Sequence, residues 1–174
     1  MQTQDAHENN QSKGREDRGR TMQYLMCTLD DEVFAMDIRS VREIIQYASM
    51  TAVPLMPVFL RGVINLRGQV VPVIDLQSRL GGSVALVRKK TCIIIFDALS
   101  DGEKVTIGLM VDAVSEVIDI RDADIEPPPQ FGASIRKDFI RGMGKVGAEF
   151  IVILEPEKAL SIEDMAMLAE RWRA

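Results

Sequence analysis

FLRGVINLRGQVVPVIDLQSRL, residues Phe59–Leu80, returns as FIRGMGKVGAEFIVILEPEKAL, residues Phe139–Leu160, at a constant offset of 80 positions and without a gap. Phe59, Arg61, Gly62 and Leu80 meet Phe139, Arg141, Gly142 and Leu160, and Asp75 meets Glu155. The apolar positions between them stay apolar. Self-similarity at a fixed offset sets the architecture before any local assignment is made. It also sorts residues. A feature in both copies belongs to the framework, whereas a feature in one copy needs its own reason.

Each copy reads as a hairpin. In the first, Gly68-Gln69 is a two-residue turn signal between GVINLR and VVPVIDL. That turn would set Gly62 opposite Asp75, bringing Arg61 to Asp75 and, by the same geometry, Arg141 to Glu155 as a repeated cross-strand ion pair. Pro72 inside the second strand points to an edge or a bulge.

Outward from the hairpins the plan also repeats. YLMCTL (Tyr24–Leu29) and VFAMDI (Val33–Ile38) read as strands around an acidic turn, as do TCIIIFDA (Thr91–Ala98) and VTIGLMV (Val105–Val111). In SVREIIQ, Val41, Ile44 and Ile45 fall at helical spacing. A second internal match lies here at an offset of 73. Val41-Arg42-Glu43-Ile44-Ile45 meets Val114-Ser115-Glu116-Val117-Ile118. The unequal offsets place the length changes in the proline-bearing connectors, where chains tolerate them. The expected fold is all-β with short helices. Residues 21–160 form two tandem, pseudo-repeated five-stranded barrels, because closure removes exposed strand edges. Residues 161–174 read as an amphipathic helix docked on the barrels, with Ser161 as N-cap and Ile162, Met165, Leu168 or Ala169, and Trp172 as its apolar stripe. Residues 1–20 carry almost nothing apolar and read as a disordered tail.

Composition and motifs remove most chemistry. A net charge of −5 and a pI near 5.0 give no basic face for nucleic acid. No apolar run reaches the ~18 residues of a membrane span, and the N-terminus has no apolar signal core, so the expected location is cytoplasmic, with no direct membrane insertion. Cys27 and Cys92, each inside an apolar run, read as buried reduced thiols. The single histidine, His7, lies in the tail, which leaves no folded imidazole for a metal or for activating a nucleophile. Asp122-Ala123-Asp124 lacks the remaining ligands and glycine of a calcium loop. Gly142–Gly147 is a literal G-x-G-x-x-G, but a strand follows it where a dinucleotide site needs a helix, and the other copy has Ile64 and Arg67 at two of its glycines. Asp75 and Glu155 are a matched pair and so framework, not an acid and a base with separate tasks. No enzyme, metal or cofactor is expected.

Arg67 stands apart. It flanks the first turn, and its counterpart is Gly147, so the framework does not require it. A guanidinium beside a hairpin tip is well placed to bond a partner's carboxylate or carbonyls.

The run PLMPVFLRGVINLRGQVVPVIDL (Pro54–Leu76), with VDAVSEVIDI (Val111–Ile120), DIEPPP (Asp124–Pro129) and the second hairpin, resembles the CheW family of chemotaxis coupling proteins from Met22 onward. The resemblance implies two five-stranded barrels, SH3-like or OB-like, with strand exchange across the pair as an option. It implies no catalysis. The implied partners are the cytoplasmic tip of methyl-accepting chemotaxis receptors and the regulatory domain of the histidine kinase CheA, in membrane-associated receptor arrays. The matching receptor-binding candidates are Arg67, Val41, Glu43 and Ile44. The kinase-binding candidates are Arg61 and Phe131, the latter an aromatic residue after a triple proline. Glu126 departs from the basic residue that suits the family's ring-forming contact. Two other readings remain: a CheW-like coupler of a non-flagellar pathway controlling surface motility or gene expression, and a β-barrel enzyme or ligand-binding module.

Overall fold

Runs of β-branched and apolar residues such as Ile93-Ile94-Ile95 fit a pleated surface buried on both faces, and strands dominate accordingly. The computed structural model describes residues 19–100, 102–128 and 139–159. The tail, Phe131 and the C-terminal amphipathic segment lie outside the described residues. The strands are β1 (Thr21–Leu29), β2 (Glu32–Asp37), β3 (Glu43–Gln46), β4 (Leu60–Leu66), β5 (Gln69–Asp75), β6 (Cys92–Ser100), β7 (Glu103–Val111), β8 (Ala113–Arg121), β9 (Ile125–Glu126), β10 (Ile140–Val146) and β11 (Glu149–Leu154). One four-residue helix, α1 (Leu76–Arg79), follows β5, capped by the Asp75 side chain.

Two curled sheets result. One has the order β8-β1-β2-β11-β10-β9, the other β3-β6-β7-β5-β4. Neither sheet comes from one half of the chain. Each takes its first hairpin from one half and its remaining strands from the other. The joints are parallel pairings, with Ile153 beside Ala35 and Val73 beside Gly108. Val73 and Ile153 are partners at offset 80, and Ala35 and Gly108 at offset 73, so the two internal matches meet at one pseudo-symmetric seam. Because β1–β2 and β6–β7 are exchanged, neither sheet is complete without both halves.

Three buried clusters follow. Ile64, Val71, Val73, Ile93, Ile95 and Met110 fill one barrel. Tyr24, Met26, Ala35, Ile120, Ile151 and Ile153 fill the other. The largest cluster takes residues from both sheets, among them Leu25, Met36, Ile74, Ile94, Phe96, Leu109 and Leu154, and joins the barrels. At the joint the Arg79 guanidinium lies 4.8 Å from the Phe59 ring centroid and 5.3 Å from that of Phe139.

Several local expectations are corrected. SVREIIQ is not helical. Glu43–Gln46 pairs with Cys92–Ile95 as β3, and Ile45 packs inside the barrel while Ile44 stays 40% exposed. The spacing of Val41, Ile44 and Ile45 suits either period, and cross-strand pairing with three isoleucines decides it. The first hairpin turns one residue earlier than expected, which shifts the pairing register by two. Leu66 opposes Gln69, so Arg67 and Gly68 are the central residues, with φ of 53° and 85°. This is the doubly left-handed turn that matches strand twist. Gly62 therefore opposes Val73, not Asp75. Pro72 lies in an interior strand. It is tolerated because Val63 opposite it bonds Thr51 through both backbone groups, and pairing with β7 begins only at Val73. Cys92 is half-buried, its thiol donating to the Lys90 carbonyl at 3.2 Å. Cys27 is fully buried, and burial pushes its thiol up to about 12.

Candidate functional site

Two of the receptor-side candidates, Arg67 and Glu43, come together where β3, an edge strand, meets the β4–β5 tip, whereas Ile44 lies on the opposite face of β3 from Glu43. Arg67 Nη1 donates to Glu43 Oε2 at 3.2 Å, and Arg67 Nη2 donates to Glu43 Oε1. The fork is bidentate, which fixes geometry as well as charge. The pairing holds the Glu43 carboxyl below its ordinary range. Arg67 keeps 65% of its side chain exposed, so the pair is presented to solvent, not hidden. Its backbone is the costly part. L residues disfavour the left-handed region, yet Arg67 occupies it where the second copy has Gly147, at φ 61°. Asn65 supports the turn by accepting from Gly68 N at 2.8 Å.

Val41 and Ile44 lie at the rim of the inter-barrel core. Val41 packs against that core. Ile44 pairs with Ile94, a core residue, and paired residues share a face. Val41 also lines an open cleft of about 540 Å³ with Asp37, Arg39, Ser40, Arg42, Asp97 and Glu157. The second copy supplies a matching rim. Val114 packs on the same core, and Val117, paired with Leu25, is 45% exposed. Reading duplicated residues as framework discounted Val114 and Val117.

The kinase-side candidates are not brought together among the described residues, since Phe131 falls outside them. Arg61 is the bulged residue of β4, and the bulge carries it to Asp75 despite the shifted register, at 3.9 Å. Its firmer bond is to the Ala85 carbonyl at 3.1 Å. Fully buried Asp75 accepts from Ala85 N at 2.8 Å and Ser78 N at 3.3 Å. Arg61, with 23% of its side chain exposed, thus latches the loop after α1 to the hairpin.

Its counterpart Arg141 does not repeat the pair. Arg141 reaches Asp37 at 3.2 Å, while Glu155 pairs with Lys158 at 2.9 Å. The reason is the exchanged seam. Asp37 on β2 stands where the other barrel has Met110, so the acid sits one strand over. Asp37 also takes Arg39 Nη2 at 2.7 Å and Arg39 N at 2.9 Å. Hydrogen bonds from Arg39 hold its carboxyl down to about 2, against the opposing effect of burial. A depressed carboxylate contributes stability that is fully present above its unfolded pKa near 4 and is lost as pH falls toward 2. Asp37→Asn is therefore expected to remove about 2 kcal/mol of stability at pH 7, and much less at pH 2. Urea melts of parent and variant across pH 2–7 check this; parallel pH profiles would refute it.

Among the described residues no group of His, Cys, Asp or Glu is arranged to hold a metal ion, and no helix is long and apolar enough to cross a membrane. The described surface offers a charged hairpin tip, the Arg67–Glu43 fork, and an apolar inter-barrel rim. The fold is that of a β module built from two curled sheets. A family model described as "CheW-like domain" matches residues 23–164. The chain is 34% identical over 146 residues to the chemotaxis protein CheW of Klebsiella aerogenes, covering 84% of this chain and 86% of that one. It is 36% identical over 133 residues to a probable chemotaxis protein CheW of Rhizobium etli, covering 76% and 83%. The crystal structure of the scaffolding protein TtCheW from Thermoanaerobacter tengcongensis superposes with a TM-score of 0.73 at 33% identity, over 91% of this chain and 94% of that one. This chain belongs to the CheW family and is a chemotaxis coupling adaptor.

Proposed function

We propose that the protein is a non-catalytic scaffold that holds the cytoplasmic tip of methyl-accepting chemotaxis receptors and the regulatory domain of the histidine kinase CheA in fixed geometry, at membrane-associated receptor arrays. A small receptor rearrangement then biases the kinase between two states through a difference in contact energy. The observation that carries the receptor half is the Arg67–Glu43 fork. A single-copy arginine held in a disfavoured backbone conformation, largely exposed in its fork with Glu43, supports a contact that the fold itself does not require. The kinase half rests on family membership, with Arg61 and Phe131 as its candidate contacts. Because Arg61 already bonds Ala85, its remaining guanidinium nitrogens are what a partner would meet. Glu126, exposed in β9, would weaken a ring contact that prefers a base there.

The test is reconstitution of receptor-bearing membranes with CheA, with and without this chain. Kinase activity is expected to rise by an order of magnitude or more, roughly 1.4 kcal/mol or more of coupling, only when all three are present. Equal activity without the chain would overturn the reading.

A further inference from the structure

Phe59 and Phe139 are partners at offset 80, one at the foot of each repeated hairpin. Each is tied to its own hairpin by the same backbone bond. Asp75 N donates to Phe59 O at 2.7 Å, and Glu155 N donates to Phe139 O at 2.9 Å. The two rings report where the two hairpins sit, and one guanidinium, that of Arg79, lies against both at 4.8 Å and 5.3 Å. Arg79 has no counterpart, because offset 80 gives Ala159. A residue at the axis relating two pseudo-equivalent barrels meets its own image there, so two arginines would compete for one place. The asymmetry between Arg79 and Ala159 is what a shared clamp requires.

The position matters for coupling. The β4–β5 hairpin carries Arg67 at its far tip and Arg61 near its foot, two residues from Phe59. The β10–β11 hairpin belongs to the other barrel. A cation between two ring faces resists separation of the rings but allows them to slide if it is removed, and packed elements that shift as units are the usual carriers of a switch.

We propose that Arg79 is a positioning residue that locks the two repeated hairpins together, so that force applied at the tip of the β4–β5 hairpin reaches the other barrel. The proposal rests on the adaptor function stated above. The test combines a structural and a functional readout. Spin labels are placed through Gln69→Cys and Glu149→Cys, equivalent positions beside the two hairpin tips, with Cys92→Ser. Cys27 stays unlabelled because it is fully buried. In Arg79→Met the inter-label distance distribution is expected to broaden relative to parent Arg79, and to narrow again in Arg79→Lys, which keeps the cation. Affinities for receptor tip and CheA domain, measured separately, stay within about twofold, while kinase activation in the ternary reconstitution falls roughly five- to tenfold and is restored in Arg79→Lys. If Arg79→Met melts too low for assay, Arg79→Gln carries the same comparison. An unchanged distance distribution, or full activation by the uncharged variants, overturns the clamp. A parent chain that does not activate the kinase would instead refute the adaptor reading, leaving the distance measurement to judge the clamp alone.

Discussion

Gly62→Val is expected to cost about 4 kcal/mol, and Gly142→Val a similar amount, each lowering the melting temperature by about 10 °C. The two glycines are partners in the repeat, and each lies under a third strand or bridge. A Cβ on Gly62 would sit 2.5 Å from the Thr51 carbonyl oxygen, and one on Gly142 would sit 2.8 Å from that of Glu126. Both obstacles are backbone atoms. Thr51 bridges Val63, and Glu126 in β9 pairs with Met143, so neither can withdraw without breaking the contact that closes its barrel. Gly68 provides the contrast. A Cβ there meets open space, and only its left-handed φ of 85° is strained, so Gly68→Ala should cost about 1 kcal/mol. Thermal melts of the three variants decide the matter. Valine variants melting within about 2 °C of the parent would remove the close-approach argument.

The second large effect is functional. Arg67→Gly is expected to leave the melting temperature unchanged or slightly raised while weakening receptor-tip binding by about tenfold or more. Glycine occupies the left-handed turn position without strain, as Gly147 does in the other hairpin, so backbone relief offsets the lost surface ion pair. Arg67→Ala removes the same fork but keeps the strain, so it should bind as poorly and melt lower than Arg67→Gly. A pull-down or calorimetric titration against receptor tips reads the difference. Unchanged affinity in Arg67→Gly would assign Arg67 to the turn alone. Glu43→Gln should reproduce part of the loss, since it removes the carboxylate that aims the guanidinium.

Much of the fold was legible in the chain because duplication wrote it twice. The burial patterns of β4 and β10 match at six of seven positions, and the shared glycines mark real close approaches. Arg67 was legible for the complementary reason, as the residue the second copy lacks. The Arg141 partner was not legible. The repeat predicted Glu155, but the acid that meets Arg141 comes from β2, more than a hundred residues away, because a hairpin crosses between sheets. Val117 was obscured by the same logic that exposed Arg67. A duplicated residue reads as framework even where its copy lies at an exposed rim.

The amino-acid sequence by itself determined the period, most of the strands, the all-β class and the single-copy arginine, because these depend on local alternation, turn chemistry and self-comparison. Only the tertiary structure decided which strands share a sheet, which acid holds Arg141, and that Arg79 lies between Phe59 and Phe139. These are long-range pairings, set by burial of one continuous core between two exchanged halves, and no local pattern carries that information.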